Sequence, residues 1–125
     1  LKSSEDEVIK RVESVASNVQ PFQVTFEKID FQDYYFRTLY LKVKPSDELT
    51  RLYEETKRAF QITGTDVYMP HISLLYGNYP NNIKREIIQE LKDKFNFSFT
   101  ASSIHIFHAF GESYEWYEIK AVPFK

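Results

Sequence analysis

Apolar residues recur along this chain at two spacings, one typical of helices and one typical of strands. Near the start they recur every three or four residues between Val8 and Ala16, behind a Ser4–Glu7 capping box. A helix is therefore predicted from about Ser4 to Ser17. Two later segments show the same helical spacing, one opened by Ser46 and reaching about Phe60, the other running from Ile83 to Phe95.

Strand-like alternation and β-forming composition mark the segments between these helices. The predicted strands are Phe22–Phe26, Phe36–Val43, Pro70–Tyr76, Phe97–Phe110 and Tyr114–Val122. Several of these predicted strands are joined by short, hairpin-like connections, which favour antiparallel pairing. The predicted fold class is therefore α+β with mostly antiparallel sheets. The helix-and-strand blocks before and after Gly64 have similar lengths, which suggests two related lobes within one domain covering residues 1–125.

Composition and charge exclude several functional classes. The net charge of −2 supplies no field that would draw the chain onto nucleic acid, and the chain has no cysteine for disulfide, thiol or thiolate chemistry. No apolar run approaches the roughly 20 residues of a membrane span. We therefore expect a cytoplasmic monomer without a membrane partner. The 11 Phe and 9 Tyr exceed ordinary core needs and leave rings for a ligand groove.

The segment YMPHISLLYG carries the most informative chemistry in the chain. On a strand, residues two apart face the same side, so His71 and Ser73 are predicted to project together, with Leu75 on the same face. An imidazole that titrates near neutral pH, beside a hydroxyl donor, suits phosphoryl transfer. The alternative is a structural pair whose polar groups are satisfied within the fold, which is the commoner role of such a triplet taken alone.

The longer string Tyr68–Tyr76 resembles the second signature of the 2H phosphoesterase superfamily, in its cyclic nucleotide phosphodiesterase branch. That signature is His-x-Ser/Thr, preceded by Pro and followed here by Leu-Leu-Tyr. The resemblance implies a bilobal fold in which two such motifs face each other across a groove. It also implies metal-independent opening of a cyclic phosphate, without a cofactor, by one histidine acting as acid and another as base.

The resemblance assigns His71 to acid–base catalysis and Ser73 to phosphate binding. Tyr76 matches the motif's tail and is a candidate substrate contact, although the strand period turns it to the opposite face and favours a core position. Tyr35 and Phe36 are further candidates, since rings can stack on a base, with core packing as the alternative.

Only one such motif is present in the chain. His105 and His108 are not followed by Ser or Thr at the second position, and we interpret them as strand histidines rather than as metal ligands. The first motif is expected upstream of Leu1, on a strand-helix-strand segment that this chain lacks. Without it, activity should fall by about 10²–10⁴-fold, the usual contribution of one acid–base group.

The predicted function is hydrolysis of small cyclic phosphates, either 2',3'-cyclic nucleotides or ADP-ribose 1'',2''-cyclic phosphate, to monoesters. A related possibility in RNA metabolism is the processing of RNA ends, which the low net charge disfavours. The alternative from another class is a non-catalytic module that binds a nucleotide or a protein. The basic residues Lys84, Arg85, Lys92 and Lys94 are interpreted as a solvated helix face.

Overall fold

The computed structural model describes residues 4–64 and 67–125 of the chain. Its helices are α1 (Glu5–Ala16), α2 (Asp47–Ala59) and α3 (Asn81–Leu91). Its strands are β1 (Phe22–Phe31), β2 (Leu39–Val43), β3 (His71–Leu75), β4 (Ser98–Ala101), β5 (Ser103–His108) and β6 (Tyr117–Pro123). The pairs β1–β2, β2–β3 and β5–β6 are antiparallel, so the predicted α+β class is confirmed. No helix within the described ranges is long and apolar enough to cross a membrane.

The chain divides into two compact units, and the first comprises residues 4–22, 47–64 and 100–125 of the described ranges. Its core forms where α1 packs on the β5–β6 hairpin, with Val12 and Ala16 buried against Val122. The predicted start of α1 is confirmed, because the Ser4 hydroxyl accepts a hydrogen bond from the Glu7 amide at 3.2 Å. That bond satisfies one of the amides that a helix leaves unpaired at its N-terminus.

The second unit comprises residues 23–46 and 67–99. It contains β2, β3 and α3, and the four-stranded sheet has the order β3-β2-β1-β4. Ile29, Leu39 and Leu41 form the buried centre of one sheet face. The apolar stripe of α3 packs against these residues through Ile87, Ile88 and Leu91.

Several predicted strands differ in the structure. The strand predicted at Phe22–Phe26 continues to Phe31, and the one predicted from Tyr114 begins at Tyr117, after a 3₁₀ turn at residues 113–115. The segment predicted as one strand from Phe97 to Phe110 is two strands, because β4 lies in the four-stranded sheet whereas β5 pairs with β6. The apolar positions shift from Phe97, Phe99 and Ala101 to Ile104 and Ile106 across Ser102, which is a local sign of a break, although this pattern does not specify which sheet each half joins. The strand predicted to begin at Phe36 begins at Leu39, and residues 35–37 form one 3₁₀ turn, in which the Arg37 amide donates to the Tyr34 carbonyl at 2.9 Å.

Candidate active site

The His71–Ser73 pair lies on a strand, as predicted, and this strand, β3, is at one edge of the four-stranded sheet. In the antiparallel pairing with β2, His71 stands opposite Lys42 and Ser73 opposite Tyr40. Directly opposed residues share a sheet face, so these four side chains project together. His71 and Ser73 are half-buried, whereas the intervening Ile72 is exposed.

One hydrogen bond fixes the imidazole of His71. Its Nδ1 lies 2.9 Å from the carbonyl oxygen of Met69, two residues earlier. A carbonyl can only accept, so Nδ1 carries the proton in this bond and Nε2 is the basic nitrogen of the neutral ring. The Tyr40 ring meets the imidazole edge-on at a centroid separation of 5.5 Å. The ring of His71 is thus oriented on two sides, by the Met69 carbonyl and by the Tyr40 ring.

The hydroxyl of Ser73 also has a defined partner. Its Oγ donates to the backbone carbonyl of Phe36 at 3.0 Å. A hydroxyl has one proton and two acceptor lone pairs. To donate to a phosphate oxygen, Ser73 would therefore have to rotate its proton away from Phe36.

Tyr40 and Lys42 supply the polar surroundings of the motif on β2. Tyr40 is only 3% exposed, and its hydroxyl accepts a hydrogen bond from the Gln32 amide at 3.3 Å. Burial, followed by the negative charge of Asp30, raises the pKa of Tyr40 above 10.0, its ordinary value. Lys42 is half-buried and forms a 3.8 Å ion pair with Glu27. The face that carries His71 therefore holds a neutral phenol and a cation.

The three aromatic residues predicted as ligand contacts form one cluster beside Ser73. The Tyr76 ring lies 5.3 Å from Phe36 and 6.4 Å from Tyr35, while Tyr35 and Phe36 are 5.0 Å apart. Tyr76 is half-buried in this cluster, whereas Tyr35 is 46% exposed. The cluster joins the end of the motif to the 3₁₀ turn, and the Phe36 carbonyl connects it directly to Ser73.

A fully buried threonine holds this turn against the motif. Thr38 is 0% exposed, and its hydroxyl contacts the carbonyl oxygens of Tyr34, Tyr35 and Gly77. The Gly77 amide in turn donates to the Tyr35 carbonyl at 2.9 Å. These contacts fix the C-terminal end of the motif relative to the aromatic cluster.

Leu75 corrects one part of the predicted strand geometry. The strand period places Leu75 on the face of His71 and Ser73. In the structure the register shifts between the Tyr40–Ser73 and Leu39–Leu75 pairs, which leaves Leu74 as an extra residue. Such a bulge inverts the alternation beyond it. Leu75 consequently packs against the buried cluster of Ile29, Leu39 and Leu41 instead.

His105 and His108 both lie on β5 in the first unit, whereas His71 lies in the second. His105 Nδ1 is 2.5 Å from a Glu118 carboxylate oxygen, and its Nε2 is 2.9 Å from the Ser103 hydroxyl. His108 stacks on Tyr117 at 4.9 Å. Within residues 4–64 and 67–125, no cluster of three or more His, Cys, Asp or Glu side chains could hold a metal ion.

The prediction that Lys84 belongs to a solvated helix face is wrong. Lys84 is only 2% exposed, and its Nζ donates to the Gln32 carbonyl at 2.9 Å and pairs with Asp33 at 3.4 Å. The ammonium also lies 5.7 Å from the centre of the Phe31 ring. These acceptors compensate for burial of the charge. Arg85, Lys92 and Lys94 are exposed, as predicted.

The sequence pattern did not predict the positions of two lysines in the second unit, Lys42 opposite His71 and the buried Lys84. The face of the strand on which Lys42 lies could be predicted, because Lys42 continues the alternation of Thr38 and Tyr40. Its position opposite His71 depends on strand register, which that alternation does not specify. Nothing in the sequence indicates that Lys84 is buried, because a lysine on an amphipathic helix is usually exposed.

Two comparisons with known proteins address the family of this chain. A family model described as the 2'-5' RNA ligase superfamily matches residues 1–109. The chain is also 28% identical over 80 residues to a cyclic phosphodiesterase of Arabidopsis thaliana, an alignment that covers 64% of this chain and 44% of that protein. The chain thus spans less than half of the length of this relative. Because the family model matches most of the chain, the chain belongs to the 2'-5' RNA ligase superfamily, the 2H phosphoesterase group that the YMPHISLLYG motif predicts.

Proposed function

We propose that this chain forms half of the active site of a cyclic phosphodiesterase, which opens a small cyclic nucleotide phosphate to a monoester. The observation that carries the proposal is the orientation of His71. Its Nδ1 proton is held by the Met69 carbonyl, which makes Nε2 the basic nitrogen on a half-buried face shared with Ser73. The name of the Arabidopsis relative supports the same reaction class.

In the proposed reaction, a water oxygen attacks the phosphorus of the cyclic diester while one histidine accepts the water proton. The bond between phosphorus and one ribose oxygen breaks, and a second histidine donates the proton that this oxygen needs. His71 Nε2 can perform either step, depending on its protonation state. The second histidine is expected in a His-x-Ser/Thr motif from sequence preceding residue 1.

The side chains near His71 suit a cyclic phosphate. Lys42 stands opposite His71 on the same sheet face, and its ammonium would meet the phosphate's negative charge after leaving Glu27, 3.8 Å away. Ser73 would donate to a non-bridging oxygen after its hydroxyl leaves the Phe36 carbonyl. Tyr35, Phe36 and Tyr76 would then offer rings for the adjacent base, at about 1–3 kcal/mol for each stacked base.

The deciding experiment compares the 125-residue chain with a version that carries its natural upstream sequence. We expect 2',3'-cyclic AMP hydrolysis by the longer protein and a rate about 10²–10⁴-fold lower for the chain alone, because one acid–base group is missing. In the longer protein, His71→Asn should lower the rate by the same order. Equal full activity of both lengths, or of His71→Asn, would contradict the proposal.

One observation favours a second candidate, a non-catalytic nucleotide-binding module. The Ser73 proton is already used by the Phe36 carbonyl, so the serine serves the fold without any ligand. If this candidate is correct, the longer protein binds cyclic nucleotide but does not hydrolyse it. A His-x-Ser/Thr triplet in the upstream sequence would favour the enzyme over the binding module.

A further inference from the structure

Three chemically active side chains meet on the β5–β6 hairpin, in the first unit rather than in the unit that carries His71. Ser103 and His105 are two residues apart on β5, and Glu118 lies on β6. Ile104, between the first two in sequence, packs into the core beneath α1. Since neighbouring strand residues point to opposite faces, Ser103 and His105 lie on the face of the hairpin that is turned away from α1.

A β-bulge brings the Glu118 carboxylate to the same face. The register of the two strands shifts between Ile106 and Phe107, which leaves Ile119 as an extra residue on β6. Glu118 consequently stands opposite Phe107, which shares a face with His105. Without the bulge, the side chain of Glu118 would point towards α1. The bulge thus places the carboxylate within reach of the imidazole.

Hydrogen bonds join the three side chains in a defined order. A Glu118 carboxylate oxygen lies 2.5 Å from His105 Nδ1, and the Ser103 hydroxyl oxygen lies 2.9 Å from His105 Nε2. An ionised carboxylate can only accept, so Nδ1 carries the proton of the neutral ring and Nε2 accepts from the Ser103 hydroxyl. The serine proton is therefore directed at a base whose orientation is fixed by an acidic side chain.

Nucleophile, base and orienting carboxylate in this order are what activates a serine for attack on a carbonyl carbon. The separation of Ser103 and His105 lies within the reach of about 2.6–3.2 Å that a nucleophile and its base require. A purely structural network would serve to satisfy buried polar groups. The side chains of His105 and Glu118 are 51% and 42% exposed, so water could satisfy them without these contacts. The same exposure leaves the three side chains open to a substrate from solution.

We propose that Ser103 is a nucleophile, activated by His105, that takes acyl groups from small, uncharged carboxylic esters. Ser103 Oγ attacks the carbonyl carbon of the ester as its proton passes to His105 Nε2. The bond between that carbon and the leaving oxygen then breaks, and Nε2 returns the proton to this oxygen, which departs as an alcohol. Water, activated by the same nitrogen, releases the acid and restores the serine. Glu118 is a positioning residue that holds the imidazole ring and stabilises its charged form.

Charge separates this activity from the one proposed for His71. Glu118 places a negative charge close to the nucleophile, which repels anionic phosphate esters and favours uncharged acyl donors. The two sites share no residue. The inference therefore stands independently of the proposed phosphodiesterase function.

The test incubates the 125-residue chain with p-nitrophenyl acetate near neutral pH and follows acetylation of individual residues by mass spectrometry of peptide fragments. We expect Ser103 to be acetylated at least tenfold faster than Ser102, the adjacent exposed serine, because general-base catalysis contributes about 10²–10⁴-fold. This comparison uses the wild-type chain, so it does not depend on the folding of a variant. Equal rates at the two serines would overturn the proposal.

Variants of the other two residues test their roles. His105→Asn should lower the acetylation rate of Ser103 at least tenfold, whereas His108→Asn, the matched control on the same strand, should leave it unchanged. Glu118→Gln should also lower the rate, and Glu118→Asp, which keeps a carboxylate, should recover part of it. Urea denaturation of each variant distinguishes these effects from loss of the fold. Acetylation of Ser103 that is unchanged in His105→Asn would overturn the proposal, and equal rates in the two Glu118 variants would overturn the positioning role.

Discussion

The Ser73 hydroxyl donates to the backbone carbonyl of Phe36 at 3.0 Å and thereby joins β3 to the 3₁₀ turn at residues 35–37. The same hydroxyl is the proposed donor to the substrate phosphate. Ser73 therefore has a role in the free protein that ends when a ligand binds. Phosphate binding must compensate for the loss of this hydrogen bond.

Replacement of Ser73 should reveal both roles. Ser73→Ala leaves the half-buried Phe36 carbonyl without this partner and should lower the free energy of unfolding by about 1 kcal/mol. It should also weaken binding of 2',3'-cyclic AMP. Ser73→Thr keeps the hydroxyl and should retain both properties. Urea denaturation and calorimetry measure the two effects, and an Ala variant as stable as wild type would show that the Phe36 bond contributes nothing.

The neutral form of His71 should carry its proton on Nδ1, because the Met69 carbonyl accepts from that atom. Nitrogen-15 NMR of the imidazole above neutral pH distinguishes the two tautomers directly. His108 is exposed, so its ring serves as the internal comparison. A proton found on Nε2 of His71 would contradict the assignment of Nε2 as the proton-transfer atom.

Lys84→Met should destabilise the chain by about 1–3 kcal/mol, because it leaves the Gln32 carbonyl without its donor. Lys94→Met is the matched control, since Lys94 is exposed and should change stability by less than about 0.5 kcal/mol. Urea denaturation of both variants gives the comparison. Equal stability of the two would show that burial of Lys84 has no energetic consequence.

The raised pKa of Tyr40 predicts a loss of stability in alkali. A group whose pKa is higher in the folded state stabilises the fold fully below its unfolded value, which is about 10 for tyrosine. This contribution disappears as the pH rises through the folded pKa, because the folded protein must then hold a buried phenolate. Tyr40→Phe cannot ionise and should lose less stability than wild type between pH 9 and pH 11 or so. Identical alkaline losses in urea denaturation would contradict the prediction.

The elements that the sequence predicted are those in which local pattern determines local structure. The Ser4 cap, the amphipathic α3 and the common direction of His71 and Ser73 depend on residues three or four positions apart at most. The superfamily was likewise predictable, because its signature is a continuous string. In each case a short segment contains all of the required information.

The errors arose where structure depends on distant partners. The bulge that turns Leu75 into the core depends on how β3 aligns with β2, and the break at Ser102 depends on which strand each half joins. Burial of Lys84 requires the Gln32 carbonyl, 52 residues away in sequence. Alternation and helical spacing contain no information about such pairings. The roles of His71, Ser73, Tyr76, Tyr35 and Phe36 remain predictions for the experiments above.

Among residues 4–64 and 67–125, β2 is the one strand of the four-stranded sheet that pairs with β3. The outer backbone groups of β3 can pair with any incoming strand, which would settle about 4.8 Å from the motif. The exposed Ile72 and Leu74 side chains add apolar surface to this strand. Two copies of the chain at high concentration could therefore join edge to edge and occlude His71. Purification in dilute solution, with light scattering before any assay, would keep such self-association from being mistaken for inactivity.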